Sequence, residues 1–354
     1  MKKYKKVVSL IITISLVSMY LQINSFAVET VDYKTGALPY TYEEVIEHLD
    51  TTATYATLPT SVDNTSKFPT PGDQGQQNSC VGWALGYALK SNSEYLKRGW
   101  TLSTNNHKTS PGYIYNQINN GTDGGARIFD ALELMKTQGA STLAYYPYRE
   151  SNYTIQPNPT QRANAGLYKI SGFHTLMGIN DIKQRIAQSY GVVISIEVYP
   201  DFTYLSQSDS IYDDISGTKK DLGHTICLIG YDDNIGDNGA FKFINSWGTD
   251  WGVNGYGWIS YDTVKDTSPL QGTAVGFYVE TIEDTYMMGD ASNNGVIDIA
   301  DARLALIGAD YMYNVTASQY VLADVNGDAK LTESDATEIL SVAAGQQLIF
   351  SIYQ

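Results

Sequence analysis

The sequence predicts an α+β fold followed by a small all-α unit, and three observations carry that prediction. Helical periodicity dominates the first half of the 354 residues, and strand-like runs dominate from about residue 192. The acidic end of the chain repeats a 12-residue loop, each copy running into a helix. The composition, 43% hydrophobic and 17% charged, is that of a globular protein. With 23 Lys+Arg against 38 Asp+Glu, the net charge of −15 excludes non-specific binding to nucleic acid or to an anionic membrane. Two cysteines exclude a disulfide scaffold, and the 28 Tyr supply amphipathic area for cores and clefts.

Lys2, Lys3, Lys5 and Lys6 precede an apolar run from Val7 to about Leu21, closed by Ser25-Phe26-Ala27, which predicts a secretory signal peptide over 1–27. The run is shorter than the roughly 20 apolar residues of a spanning helix, so cleavage is expected rather than anchoring. The mature product is then secreted, with no membrane insertion, and is more acidic for the loss of four lysines. Residues 28–57 read as a short pro-segment or leader with one helical stretch, Tyr42 to Leu49. The main domain is expected over 58–283, the acidic unit over 287–347 and a tail over 348–354.

In the main domain, Ser79 is placed to cap a helix from Cys80 to Lys97 that ends near Gly99. Gly82 and Gly86 inside it predict close packing. Ser110-Pro111 opens a second helix that stops at Asn120-Gly121. Ala126 to Gln138 puts Ile128, Ala131, Leu132 and Met135 on one face, and Asn180 to Tyr190 repeats the pattern. Strands follow at Val192 to Val198, Gly223 to Gly230, Ala240 to Ser246, Tyr256 to Tyr261 and Ala274 to Val279. A cleft between the helical and strand halves is the expected place for a site.

The acidic unit carries two loops of one design. Asp290, Ser292, Asn294, Asp298 and Asp301 stand at positions 1, 3, 5, 9 and 12 of the first, with Gly295 at position 6 and the main-chain carbonyl of Val296 at position 7. Asp324, Asn326, Asp328, Thr332 and Asp335, with the Lys330 carbonyl, repeat the set. Calcium takes about 6–8 oxygens around a sharp turn, and alternate positions of such a loop supply them, so two structural Ca2+ ions are expected. Ala329 stands where the first loop has glycine, a strained position for a residue with a Cβ. The competing reading is a pair of solvated Asp/Asn-rich turns.

This tandem of loop and helix, with Asp at position 12, resembles a type I dockerin over about Gly289 to Gly345. The resemblance implies calcium-dependent docking to a cohesin domain of a cellulosome-like scaffold. It also implies contact residues at positions 10 and 11, here Ile299-Ala300 and Glu333-Ser334, and the two pairs differ.

Cys80 falls at the first turn of its predicted helix, where main-chain N–H groups and the helix dipole favour a thiolate. His224 opens an apolar strand, and Phe243-Ile-Asn-Ser-Trp247 closes the next. Counting outward from a turn near residue 235 puts His224 opposite Asn245 within a residue, close enough for the amide oxygen to aim the imidazole. A disulfide between Cys80 and Cys227 is the plainest alternative, and Cys227 otherwise reads as a buried free thiol. His48, His107 and His174 read as surface or packing residues.

Gln74-Gly-Gln-Gln-Asn-Ser-Cys80, Gly223-His224 and Asn245-Ser-Trp-Gly-Thr-Asp-Trp-Gly252 resemble the active-site blocks of the papain-like cysteine peptidases, in that family's order, over about Leu58 to Val279. The resemblance implies a two-lobed fold, a helical lobe and then a β-barrel-like lobe, acting on protein or peptide substrates. It gives Cys80 as nucleophile, His224 as general base and acid, Asn245 as the orienting residue and Gln74 as an oxyanion donor, a role worth ~3 kcal/mol. Trp247 would shield the His–Asn bond, and Gly124-Gly125 would bind extended substrate through bare backbone. No cofactor is implied for catalysis. Residues 28–57 are too few for the family's long inhibitory pro-domain, so control by that route is not expected. A catalytically silent binding or inhibitor module of the same fold, and a transglutaminase-like acyltransferase, are the alternatives. Asn at the orienting position speaks for the peptidase.

Overall fold

Helices from the first half of the chain pack on a sheet built by the second half, and the helix that begins at Cys80 is the seam between them. The computed structural model describes residues 32–52, 57–282, 284, 286–311, 314–347 and 349–353. Residues 1–27, read from sequence as a signal peptide, and residues 28–31 and 53–56 lie outside the described residues. Among the described residues no helix is long and apolar enough to cross a membrane.

The leader contributes strand β1 (Ala37–Leu38) and helix α1 (Tyr42–Glu47), opened by a capping box of Thr41 and Glu44. Strand β2 (Ser61–Asp63) follows. The helix starting at Cys80 runs through α2 (Gly82–Lys90), wound as a π-helix, into α3 (Ser91–Arg98). Gly99 closes it in the left-handed region at φ +70°, its N–H reaching the Tyr95 carbonyl at 2.9 Å. Ser79 does not cap this helix through its side chain. Its hydroxyl is 2.9 Å from that of Tyr148, and its carbonyl instead accepts from the Trp83 N–H at 3.2 Å.

The two helical glycines are packing residues, as expected. A Cβ on Gly82 would stand 2.5 Å from the Pro111 carbonyl oxygen, in helix α4 (Pro111–Ile118). Ser110 caps α4 by accepting from the Tyr113 N–H at 3.2 Å. After strand β3 (Ala126–Arg127), helix α5 (Ile128–Thr137) buries Ile128, Ala131, Leu132 and Met135, the predicted face. Helix α6 (Pro159–Gly166) has a capping box of Asn158 and Gln161.

The sheet then accumulates: β4 (Ile170–Met177), helix α7 (Ile179–Ala187), β5 (Val192–Ile196), helix α8 (Pro200–Thr203), β6 (Ile211–Tyr212), β7 (His224–Asp232), β8 (Ala240–Ile244), β9 (Tyr256–Ser260), helix α9 (Tyr261–Asp266) and β10 (Val275–Thr281). Its order is β4-β10-β5-β7-β8-β9-β6, with β2 also on β7. β7 is buried along almost its whole length and is central. β4 has no counterpart in the sequence reading, because its buried residues Ile170, Phe173 and Leu176 do not alternate and Gly172 interrupts them.

The acidic unit is all-α: α10 (Ile299–Asp310) packs on α12 (Glu333–Ala343), with α11 (Ala317–Ala323) between them in sequence. It shares one hydrophobic core with the helical lobe, in which Trp100, Tyr145, Leu167 and Tyr168 meet Met288, Ala302, Val321 and Ile339. Residues 349–353, read from sequence as part of a tail, fold back into this core through Phe350 and Ile352. The connecting segment is clamped. Arg98 donates to both carboxylate oxygens of Asp284, at 2.5 and 2.6 Å, and Lys97 joins at 2.8 Å.

Candidate active site

The start of β7 and the end of β8 are paired through Cys227 opposite Ile244 and Leu228 opposite Phe243, one residue from the register counted in the sequence. A bulge between Leu228 and Gly230 accounts for the shift further along the pair. This pairing brings His224 Nε2 to 2.8 Å from Asn245 Oδ1. The amide oxygen accepts, so Nε2 carries the proton and Nδ1 presents the basic lone pair. Nδ1 is buried and has no hydrogen-bond partner among the described residues. Trp247 lies over the imidazole, ring centroids 4.7 Å apart, and Phe202 closes another side at 5.6 Å.

Cys80 lies fully buried against Thr225, the residue after His224, whose N–H and hydroxyl face the thiol. Burial pushes this thiol up to about 12, against the opposing effect of those donors and of the Val81 N–H. Burial likewise holds His224 down at about 4, although the bond to Asn245 works the other way. In this closed arrangement both groups are neutral at pH 7. Cys227 is also a free, buried thiol on β7, so no disulfide joins the two cysteines.

Gln74 is held at both ends of its amide. Its oxygen accepts from the Ser246 hydroxyl at 2.7 Å, and its nitrogen donates to the Gln77 carbonyl at 2.7 Å, which leaves a second amide hydrogen for an oxyanion.

The cleft is occupied by the chain's own leader. Gly36 and Ala37 reach the Gly223 carbonyl, each at 2.9 Å, and the Gly36 carbonyl accepts from Ala126 at 2.9 Å. β1 thus pairs with β3 in parallel, and the Trp247 indole donates to the Lys34 carbonyl at 2.8 Å. The leader is far shorter than a pro-domain, yet five residues suffice to cross the site. Of the predicted glycine pair only Gly125, at φ +90°, meets this segment, whereas Gly124 sits exposed at the rim.

The two acidic loops bury their first and last carboxylates while their turns reach solvent. Asp290, Asp301, Asp324 and Asp335 are all buried, and Asp335 Oδ1 has no hydrogen-bond partner among the described residues. Asp290 accepts from the N–H groups of Asn294 (3.0 Å) and Gly295 (2.7 Å), and Asp324 from those of Asp328 (3.2 Å) and Ala329 (2.9 Å). Asp298 and Thr332 cap α10 and α12. Ala329 adopts φ +67°, the strained conformation its position requires. Among the described residues no three His, Cys, Asp or Glu side chains stand as a ready-made metal cluster. The donor set is carboxylate, amide, hydroxyl and main-chain oxygen, the class calcium takes, so the residues fit that ion chemically. Ile299 is 75% exposed and, with Ala300, Leu306 and Leu340, lines an apolar groove of about 770 Å³, whereas Glu333 and Ser334 border a polar surface.

The sequence profile of the family described as papain family cysteine protease matches residues 58–275. The chain belongs to this family. Among curated relatives, cathepsin K of Gallus gallus is 29% identical over 206 residues, covering 56% of this chain and 58% of that protein. A cathepsin L-like proteinase of Fasciola hepatica is 25% identical over 194 residues, covering 52% and 54%. The chain thus spans about half the length of the curated relatives it matches. In structure it is similar to xylellain, a cysteine protease from Xylella fastidiosa, with a TM-score of 0.61 at 21% identity over 72% of this chain and 98% of that one. The bromelain protease of Ananas comosus gives 0.51 at 19% identity, over 63% and 99%.

Within the papain-family domain, several residues with no role in the sequence reading shape the cleft. Thr225 faces the thiol and Ser246 aims Gln74. Tyr148 donates to the Gln74 carbonyl at 2.8 Å. Asp123 accepts from the Asn78 N–H at 2.9 Å and from the Tyr115 hydroxyl at 2.6 Å, fixing the loop that carries Gly124-Gly125. Ser246 lies inside the Asn245-Ser-Trp block and Thr225 directly follows Gly223-His224, so only their contacts, not their positions, were hidden. His107, by contrast, is a packing residue as expected, stacked on Trp100 at 5.3 Å.

Proposed function

We propose that this papain-family chain is a secreted cysteine peptidase that hydrolyses peptide bonds through Cys80, His224 and Asn245. In this reading it is latent while residues 34–38 fill the cleft and is tethered by a dockerin-like C-terminal unit. The observation that carries the catalytic reading is the 2.8 Å bond from His224 to Asn245 beneath Trp247, with the next residue, Thr225, facing the Cys80 thiol.

Once the leader is displaced, water and substrate reach both groups and a proton passes from Cys80 to His224 Nδ1. The thiolate attacks the peptide carbonyl carbon. The oxygen's developing charge is met by the Gln74 amide and the Cys80 N–H. His224 returns its proton to the leaving amine nitrogen, the C–N bond breaks, and a thioester remains. Water, deprotonated by the same imidazole, releases the acid and restores the thiol.

The buried carboxylates and oxygen donors of the two loops support Ca2+ binding by Asp290, Ser292, Asn294, Val296, Asp298 and Asp301 and by their counterparts Asp324 to Asp335. Bound calcium would hold the loops in shape. The exposed groove at Ile299-Ala300 supports a cohesin-like partner, and residues 1–27 support secretion. The rival reading, a silent binding module, draws on the full burial of Cys80 and His224.

Labelling with E64, the inhibitor in the bromelain structure, followed by mass mapping separates the two. Modification of Cys80, with peptide hydrolysis lost in Cys80→Ala, is the expected result. A Cys80 that stays unlabelled after the leader has been cleaved away would refute catalysis.

A further inference from the structure

The two acidic loops repeat in sequence but stand in unlike surroundings. Residues 293–296 of the first are exposed, whereas Asp324, Val325 and Gly327 of the second are buried and only Asp328 and Lys330 of its turn are exposed. Tyr145, buried in the helical lobe, donates its hydroxyl to Asp324 Oδ2 at 2.5 Å. Asn106 donates its side-chain amide to the Asn326 carbonyl at 2.8 Å, and its Cβ is 3.2 Å from where a Cβ on Gly327 would lie. His107 Nε2 is 2.6 Å from the Ile352 carbonyl, and Ile352 donates to Val325 at 3.2 Å, so the same turn grips the second loop from behind. Asp290, the counterpart of Asp324, is held only by groups of its own loop among the described residues: the N–H of Asn294, the N–H of Gly295 and the Ser292 hydroxyl. A second feature points to a ligand at this loop: Asp335 Oδ1 is buried and makes no hydrogen bond of ordinary geometry among the described residues, with only the Asn326 N–H facing the carboxylate beyond its bonds to Thr332.

We propose that Tyr145 is a positioning residue for a divalent cation bound by the second loop, so that cation binding there and the seating of the C-terminal unit on the papain-family domain form one equilibrium. The proposal rests on the calcium reading of the loops. A neutral hydroxyl on one carboxylate oxygen fixes the rotation of Asp324 without cancelling its charge, as outer donors do around metal-bound carboxylates. Since the hydroxyl and the carboxylate belong to different units, whatever orders Asp324 also favours the seated state. By linkage, a cation that binds the seated state better stabilises the seating.

The test uses the full chain carrying Cys80→Ala, stripped with a chelator and titrated with calcium chloride in a calorimeter. Tyr145→Phe keeps the ring in its core and removes only the hydroxyl. Two binding events are expected, one weakened about tenfold by Tyr145→Phe and the other, abolished by Asp290→Ala, left unchanged. Calcium is also expected to raise the melting temperature of the whole chain by less in Tyr145→Phe than in its parent. Asn106→Ala, which cuts the second tie to the same loop, is expected to weaken the same event. Two events whose affinities neither substitution alters overturn the proposal and leave the calcium reading intact. Absence of calcium uptake in the parent protein overturns both.

Discussion

A Cβ on Gly125 would stand 2.4 Å from the carbonyl oxygen of Gly36, and a Cβ on Gly36 would stand 2.1 Å from the Asn78 carbonyl oxygen. At these two contacts the leader segment therefore approaches by bare backbone, with no room for a side chain at either. Gly36→Val is expected to expel it, since overpacking of this kind costs about 1–3 kcal/mol. The rate of E64 labelling at Cys80 should rise about tenfold over the parent. An unchanged rate would mean that the segment is no barrier.

The bond from the Ser246 hydroxyl to Gln74 gives a graded pair of substitutions. Gln74→Ala is expected to lower kcat by 10²–10³-fold, the usual loss for one oxyanion donor. Ser246→Ala leaves the donor present but unaimed, and should lower kcat by about tenfold with KM little changed. Peptide hydrolysis kinetics on the leader-free enzyme measure both. Equal losses would show that Ser246 does more than aim Gln74.

Burial keeps His224 neutral down to about pH 4, whereas the unfolded chain takes up its proton near the ordinary value of 6.5. Between those values the unfolded state binds more protons, so stability present above pH 6.5 is lost as the pH falls, by roughly 3 kcal/mol in all. Urea midpoints of Cys80→Ala across this window should show the loss. Adding His224→Gln should remove that part of the slope.

Glu94, 1% exposed, is the shared partner of Lys90 and Arg98 inside the helical lobe. Removing it leaves two cations without that partner in a low-dielectric core. Glu94→Ala is expected to destabilise the protein by about 3–5 kcal/mol, read from chemical denaturation. A loss under 1 kcal/mol would mean that water reaches the cluster.

The motif blocks made the candidate site legible because each stands at a punctuated end: Cys80 at the start of a helix, His224 at the start of a strand, Asn245 just past the end of the next. Strand spacing alone brought His224 and Asn245 together, although the observed register, Cys227 opposite Ile244, sets Asn245 two residues from the position directly across from His224. What stayed hidden depends on contacts distant in sequence. Nothing local marks Tyr145 as a neighbour of Asp324, Asp123 as a brace for Asn78, or Ala37 as a strand beside Ala126. The π-helical winding of Gly82–Lys90 is hidden for the same reason, since its residues are ordinary helix formers apart from two glycines seated on α4. The acidic unit was legible as a repeat, but its seating was not, because Phe350 and Ile352 fall in a stretch too short to show periodicity.

The helix that opens with Cys80 ends at Arg98, and Arg98 is the residue that grips Asp284 in the connection to the C-terminal unit. One helix thus joins two jobs: its first turn carries the thiol, and its last turn fixes the segment by which the C-terminal unit is connected.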